Sequence, residues 1–163
     1  MLDQLEEQGL LCGPREIIHC TGAYTDELPG PDYDPEKPRT RNIWMFGLAQ
    51  MPGMVSPEMF REFEIDYTRP LCERFGLVYY GCCDPLDGRI AEVRMLPHVR
   101  KISMSPWTNQ ERGAEAISGD FVFSRKPNPA FVAVDHLDRE LVRKDLLATR
   151  NLCKKIIVRW NSS

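Results

Sequence analysis

Two hydrophobic periodicities alternate along the chain, and together they predict an α/β fold. Short apolar runs, typical of buried strands, occur at residues 16–20, 77–80, 100–105, 121–124 and 156–160. Segments with apolar residues at helical spacing flank these runs, at residues 2–11, 56–75, 86–96, 108–117 and from 138 onward. Because strands and helices alternate with short connections, we expect parallel strands joined by right-handed crossovers.

The clearest helical pattern begins at Ser56-Pro57-Glu58. Serine at the N-cap and proline at the first helical position are typical of a helix start, and Gly76 is placed to end the helix. Pro70 lies inside the pattern and predicts a kink near residues 65–67. Apolar side chains at steps of three and four form a stripe that we expect to face the core: Phe60, Phe63, Tyr67, Leu71 and Phe75.

Residues 23–42 are expected to form a long surface loop. They hold four prolines and many charged residues. Loops of this length inside a compact domain are often functional lids or binding segments, and the alternative is a solvated excursion without such a role. The apolar residues 43–47 are expected to pack beneath the loop.

The composition is that of one globular domain. Its 163 residues are enough for a sizeable core. A formal charge of −3 gives no electrostatic footprint for nucleic acid or an anionic membrane, and no apolar run approaches the roughly 20 residues of a membrane helix. The acidic first residues do not resemble a signal peptide. Six cysteines without a Cys-x-x-Cys pair indicate reduced thiols and a cytoplasmic protein.

The loop after the apolar run 77–80 carries the most reactive residue types of the chain. After Gly81 come two adjacent thiols and a carboxylate, Cys82, Cys83 and Asp84. The alternative interpretation is a pair of inert, packed cysteines. His19, near the end of the run 16–20, is a candidate ligand or base, and its alternative is likewise a packed residue.

Loops that follow parallel strands share one edge of the sheet, which places several chemically active residues together. The loops after the next two apolar runs add hydroxyls, an indole, two cations and an amide: Ser103, Ser105, Trp107, Arg125, Lys126 and Asn128. Together with the two thiols, this set predicts a site for a small anionic organic ligand. An ordinary polar edge is the alternative.

Four segments follow one another in an order that resembles one enzyme superfamily. They are Ser-Pro-Glu-Met-Phe at 56–60, Tyr-Tyr-Gly-Cys-Cys-Asp-Pro-Leu at 79–86, Arg-Lys-Ile-Ser-Met-Ser-Pro-Trp at 100–107 and Phe-Val-Phe-Ser-Arg-Lys-Pro-Asn-Pro at 121–129. Over roughly residues 40–150 the chain resembles the uroporphyrinogen decarboxylase superfamily, which includes the methylcobalamin:coenzyme M methyltransferases. It is most similar to a branch that carries Tyr-Gly-Cys-Cys-Glu/Asp-Pro-Leu.

The resemblance implies the C-terminal half of a (β/α)8 barrel. A complete barrel takes about 250 residues, so we expect residues 1–163 to form a single partial barrel domain. Two explanations are open. The chain is a fragment whose N-terminal half is missing, which we favour, or two chains associate to cover the exposed sheet edges.

The resemblance also implies a zinc site. The methyltransferase branch binds zinc through a His-x-Cys pair and a later cysteine, and the zinc activates a substrate thiol. Cys82 matches the cysteine of that pair, whereas Tyr80 stands where the histidine would be. Candidate replacements and further ligands are Cys83, Asp84, His19 and Cys153.

The leading functional hypothesis is methyl transfer between a corrinoid carrier protein and a small acceptor. Cys82 and Asp84 would be the catalytic pair, with zinc as a candidate cofactor. The substrate-binding residues implied are Trp107, Arg125, Lys126 and Asn128. Decarboxylation of a porphyrinogen-type polyacid is an alternative, although the family's N-terminal arginine-rich motif is absent from this chain. A truncated, inactive half-barrel with a structural or binding role is the third hypothesis.

Overall fold

The computed structural model describes residues 1–13, 17–18, 21–22, 25–48, 50 and 54–160. Side chains are described for these residues except 17–18, 21–22 and 155–160. The helices and strands, in chain order, are α1 (Leu2–Glu7), β1 (Ile17–Ile18), β2 (Thr21–Gly22), β3 (Trp44–Gly47), α2 (Pro57–Phe60), α3 (Asp66–Cys72), β4 (Leu77–Tyr80), α4 (Ile90–Val93), β5 (Val99–Met104), α5 (Gln110–Ile117), β6 (Val122–Arg125) and α6 (Arg139–Trp160). One π-helical turn (Arg61–Ile65) joins α2 to α3, and short 3-10 turns lie at Thr40–Asn42 and Pro129–Phe131.

Strands β3 to β6 form one sheet in which every neighbouring pair is parallel. Their order across the sheet is their order along the chain, and helices lie in each connection. The predicted α/β architecture with parallel strands is therefore confirmed. Strands β1 and β2 make a separate antiparallel pair. None of the helices in the described ranges is long and apolar enough to cross a bilayer.

The helices pack on one face of the sheet. Alternate residues of each strand point toward this face, and the residues between them point to the opposite face. On that face, residues of β4 and β5 meet the buried side chains of the helices in the main core: Phe60, Ile65, Cys72, Val78, Tyr80, Leu86, Ile90, Val93, Leu96, Val99, Ile102, Met104 and Ile117. The opposite face carries a smaller apolar cluster of Leu28, Trp44, Leu77 and Tyr79, with Phe46 against it. The sheet is thus apolar on both faces, as expected for parallel strands.

The long loop contributes the side chain of Leu28 to this second cluster. Most loop residues between 25 and 39 are exposed, and Leu28 is one of the few that are buried. It packs with Trp44 and Phe46 of β3, so the expected contact between residues 43–47 and the loop is present. An ion pair between Glu27 and Arg100 holds the same part of the loop against β5.

The segment after Ser56 begins as predicted, but its apolar stripe does not face the core as predicted. The Ser56 hydroxyl accepts a hydrogen bond from the Met59 backbone N–H and caps the helix start. The π turn then inserts one extra residue into a helical turn and rotates the face that meets the sheet. Buried positions therefore run Phe60, Ile65 and Cys72, and the expectation for the three middle stripe residues was wrong: Phe63, Tyr67 and Leu71 are 59%, 74% and 45% exposed.

Two other expectations are corrected, and one strand was not predicted. The run 156–160 is helical and not a strand, because the chain from 138 contains no glycine or proline and α6 continues through it. In place of the predicted helix 86–96 the structure has the shorter helix α4, with turns on either side. The apolar run 43–47, which was not predicted as a strand, supplies β3 at an edge of the sheet.

The register of the π turn is testable by two alanine substitutions. Ile65→Ala removes a side chain that is 1% exposed, and we expect it to lower the free energy of unfolding by about 2–5 kcal/mol. Phe63→Ala, in the exposed stripe, should change it by less than about 1 kcal/mol. Urea denaturation followed by circular dichroism measures both. A continuous α-helix with the stripe inward predicts the reverse order, with Phe63→Ala the costlier substitution.

Candidate functional site

A glycine turn delivers the two cysteines to the carboxyl end of the sheet. Gly81 has φ +93°, a conformation that side chains other than glycine rarely adopt. A Cβ at this position would also lie 2.4 Å from Cδ1 of Leu86, which is fully buried. The chain therefore reverses immediately after β4. Cys82 is 1% exposed, while Cys83 is exposed on the outer side of the turn.

The thiol of Cys82 lies at the centre of a cluster to which each parallel strand, or the loop after it, contributes at least one residue. We call Cys82, Cys83, Gln50, Ser103 and Lys126 the thiol cluster. Gln50 follows β3, the cysteines follow β4, Ser103 lies in β5, and Lys126 follows β6 directly. This convergence follows from the parallel topology, since the carboxyl ends of the strands meet at one edge.

The polar contacts of the cluster are made to Cys82. Its carbonyl oxygen accepts hydrogen bonds from Ser103 Oγ at 2.9 Å and from Lys126 Nζ at 3.1 Å. Its Sγ lies 3.7 Å from Lys126 Nζ and 3.9 Å from Gln50 Nε2. The Sγ of Cys83 is 3.4 Å away. The arrangement thus places one cationic group beside a buried sulfur, which suits the binding of a small anion.

Asp84 lies next to the cluster in a half-buried position. Among the described residues its Oδ2 atom finds no hydrogen-bond partner, although it is shielded from solvent. Burial raises the pKa of this carboxyl group, because the anion loses hydration without compensation. A carboxyl group with a raised pKa is a candidate proton donor or acceptor at the site.

Tyr80, which the sequence resemblance placed where a zinc-binding histidine was expected, points away from the thiol cluster. Its side chain is fully buried on the helix side, and its hydroxyl donates to Glu64 Oε1 at 2.9 Å. The same carboxylate oxygen accepts from Thr68 Oγ1 at 3.1 Å. Burial, reinforced by the charge of Glu64, raises the pKa of Tyr80 far above its usual range. Tyr80 is therefore a neutral core residue and does not replace the histidine as a ligand.

Of the four residues predicted to bind substrate, Lys126 is the one that contacts a cysteine of the cluster. Arg125 is largely buried and pairs with Asp145 of α6, 3.4 Å away. Asn128 accepts a hydrogen bond from the Ala130 N–H at 3.0 Å and so caps the 3-10 turn that follows. Trp107 is 69% exposed in the turn after β5.

The described residues do not bring together three His, Cys, Asp or Glu side chains as a metal-binding group. His19 lies outside the described residues. Cys82 and Cys83 supply two thiols, but the Lys126 ammonium beside Cys82 would repel a bound cation. Zinc at this position would need further ligands from the rest of the chain and a displacement of Lys126.

Cys153, the remaining candidate ligand, lies on α6. It lines an apolar cavity of about 290 Å³ together with Ile117, Phe121 and Phe123. Burial raises the pKa of this thiol, which disfavours the thiolate form that binds metals. The cysteines of the described ranges, Cys12, Cys72, Cys82, Cys83 and Cys153, form no disulfide.

Two contacts, one at the site and one in the core beside it, were not predicted from the sequence. Gln50 was missed because the strand that precedes it was not recognised, so the loop after β3 was not placed on the shared edge. The Glu64–Tyr80 hydrogen bond was missed because the π turn sets where Glu64 points. Glu64 is one of several charged residues in this segment, so the sequence carried no signal that singled it out.

Comparisons of the chain with models of known protein families, with curated proteins and with solved structures find no match.

The Tyr80 hydroxyl is expected to contribute measurably to stability. Tyr80→Phe removes a buried donor to a carboxylate, and we expect a loss of about 1–3 kcal/mol in the free energy of unfolding. Tyr67→Phe, the same change at an exposed helix position, should stay within about 0.5 kcal/mol of wild type. Chemical denaturation of both variants measures the difference. Equal stability of the two would show that the Glu64 contact is not formed in solution.

Proposed function

We propose that the chain is part of a corrinoid-dependent methyltransferase related to the uroporphyrinogen decarboxylase superfamily, and that the thiol cluster receives a small anionic acceptor. The contact between Lys126 Nζ and Cys82 Sγ, 3.7 Å, is the observation that carries the proposal. It places a cation and a thiol together at the carboxyl end of a parallel sheet, which is where barrel enzymes hold their reacting groups.

The sheet topology supports this assignment at the level of fold. Four parallel strands in consecutive order, with helices on one face, are the arrangement found in successive units of a (β/α)8 barrel. The other face would then line the barrel interior. On that face Tyr79 of β4 pairs with Lys101 of β5, and Ser103 of β5 pairs with Ser124 of β6. Polar residues increase toward the edge that carries the thiol cluster, which agrees with a site at that end.

The residues of the cluster match what methyl transfer to an anionic nucleophile requires. Lys126 would attract the acceptor and stabilise its negative charge, while the burial of Cys82 indicates a site with restricted access for water. Asp84, with its raised pKa, would exchange a proton with the acceptor. The corrinoid, bound to a partner protein, would supply the methyl group. Reduced thiols agree with a cytoplasmic location, which belongs to the same proposal.

The proposal is tested by demethylation of methylcobalamin in the presence of a small anionic thiol, 2-mercaptoethanesulfonate. The purified chain should accelerate the absorbance change that accompanies loss of the methyl group. Lys126→Met should lower the rate roughly 100-fold, because a charge that stabilises the reacting anion is removed. Lys144→Met, an exposed lysine on α6, is the matched control and should leave the rate unchanged.

Metal content is measured on the same preparations, purified under reducing conditions without chelator. Near-stoichiometric zinc that is lost in Cys82→Ser would show that the thiols hold a metal together with further ligands. A folded chain that neither binds methylcobalamin nor accelerates its demethylation contradicts the methyltransferase proposal.

Decarboxylation of a polyacid receives less support from the distribution of arginines. Such a substrate calls for several unpaired arginines around one cavity. Six described arginines are already engaged by carboxylates and are less available to a polyacid: Arg41, Arg74, Arg94, Arg100, Arg112 and Arg125. In our proposal Lys126 is the cation that binds the anionic acceptor.

A half-barrel that associates with a second copy is a further candidate, favoured by the exposed stripe of Phe63, Tyr67 and Leu71. Exposed aromatic and aliphatic side chains in one row are typical of interaction surfaces. Light scattering should give a molar mass that rises toward that of a dimer with concentration. Phe63→Glu combined with Tyr67→Glu should abolish the rise, and Met54→Glu, at an exposed residue outside the stripe, should not. A monomeric wild type at all concentrations argues against association.

A further inference from the structure

The two adjacent cysteines present their sulfur atoms to each other. Side chains of neighbouring residues on an extended segment point in opposite directions, which would separate the sulfurs. The turn at Gly81 prevents this, and the Sγ atoms of Cys82 and Cys83 lie 3.4 Å apart. We propose that Cys82 and Cys83 form a reversible dithiol–disulfide pair, a redox modification site that switches the thiol cluster off on oxidation.

The two thiols differ in access, which assigns each a role. Cys83 is exposed and meets an oxidant from solvent, whereas Cys82 is 1% exposed behind it. A hydroperoxide transfers one oxygen atom to the Cys83 sulfur, giving a sulfenic acid and leaving as the alcohol, or as water when the oxidant is hydrogen peroxide. The Cys82 sulfur then attacks the Cys83 sulfur, the S–S bond forms, and water leaves with the Cys82 proton.

Lys126 assists the second step from its position beside the buried sulfur. Its ammonium group lies 3.7 Å from Cys82 Sγ and is held in place by the hydrogen bond to the Cys82 carbonyl oxygen. Positive charge stabilises the sulfur as it becomes the attacking nucleophile. Cys82 is therefore the resolving cysteine and Cys83 the one that meets the oxidant.

The covalent geometry of neighbouring residues makes this bond a switch instead of a permanent crosslink. Consecutive Cα atoms are about 3.8 Å apart, whereas unstrained disulfides span about 4.4–6.8 Å between Cα atoms. Strained disulfides are the more easily reduced ones, and they are the labile or regulatory class. Thiol reductants would therefore restore the dithiol readily.

Oxidation would also disturb the remainder of the cluster. A disulfide between adjacent residues closes a small ring and twists the peptide bond that joins Cys82 to Cys83. The carbonyl oxygen of that peptide, Cys82 O, accepts hydrogen bonds from both Ser103 Oγ and Lys126 Nζ. The disulfide thus removes two thiols and displaces the ammonium group at once. This inference stands on the geometry of the thiols and does not depend on the methyltransferase proposal, because its test uses no corrinoid.

The test is peptide mapping of the reduced, folded chain after brief treatment with hydrogen peroxide and alkylation of the remaining thiols. The peptide that contains both cysteines should lose the mass of two hydrogen atoms, resist alkylation, and recover both thiols with dithiothreitol. In Cys82→Ser, sulfenic acid should accumulate on Cys83 and be captured by dimedone. Cys12→Ser, which removes another exposed thiol, should leave the disulfide yield unchanged.

A second measurement uses only the wild-type chain, so its result does not depend on whether the variants fold. Phenylarsine oxide reacts with two neighbouring thiols, losing water as two As–S bonds form, and it should protect Cys82 and Cys83 together from alkylation. Three results would overturn the proposal: a stable sulfenic acid on wild-type Cys83, a disulfide from either cysteine to a different peptide, or alkylation of both thiols in the presence of the arsenical.

Discussion

The complete burial of strand β4 is the constraint on which the rest of the structure depends. All four residues from Leu77 to Tyr80 are shielded from solvent, so both faces of this strand must be covered. Val78 and Tyr80 meet the helices, while Leu77 and Tyr79 meet the cluster built around Trp44. A slip of one residue would exchange the faces and take Tyr80 away from Gly47 and from Glu64, so these specific contacts select the register.

The burial of β4 also explains two features near the site. The ring of Tyr80 lies over Gly47 of β3, where a Cβ would come within 2.6 Å of the ring, so a glycine allows the two strands to pair. The Tyr80 hydroxyl, deep in the core, needs a partner, and the π turn brings Glu64 to it. The π turn thus contains the carboxylate that satisfies this buried hydroxyl.

The turn after β4 connects the buried core to the thiol cluster. After Gly81 the chain reverses, and the Cys82 carbonyl becomes the acceptor that gathers Ser103 from β5 and Lys126 from the loop after β6. Three neighbouring strands are therefore tied together through one backbone oxygen. The same hydrogen bond holds the ammonium group beside the Cys82 sulfur, 3.7 Å away.

Local patterns in the sequence determined much of this arrangement: the buried run 77–80, the serine cap at Ser56, the alternation of strands and helices, and the loop that carries Cys82 and Cys83. Each depends on residues close together in the chain, where hydrophobic period and capping chemistry decide the outcome. The exposure of Phe63 and Tyr67 was not predictable in this way, because one extra residue in a π turn rotates the face of the helix.

Tertiary structure also decided which cation serves the site. Arg125 and Lys126 are adjacent in the sequence and were both predicted to bind substrate, yet neighbouring residues at a strand end point to opposite faces. Arg125 pairs in register with Met104, whose side chain is in the helix-side core, so Arg125 turns toward Asp145. Lys126 therefore turns toward Cys82. The sequence alone placed both charges at this edge, and the pairing of β6 with β5 chose between them.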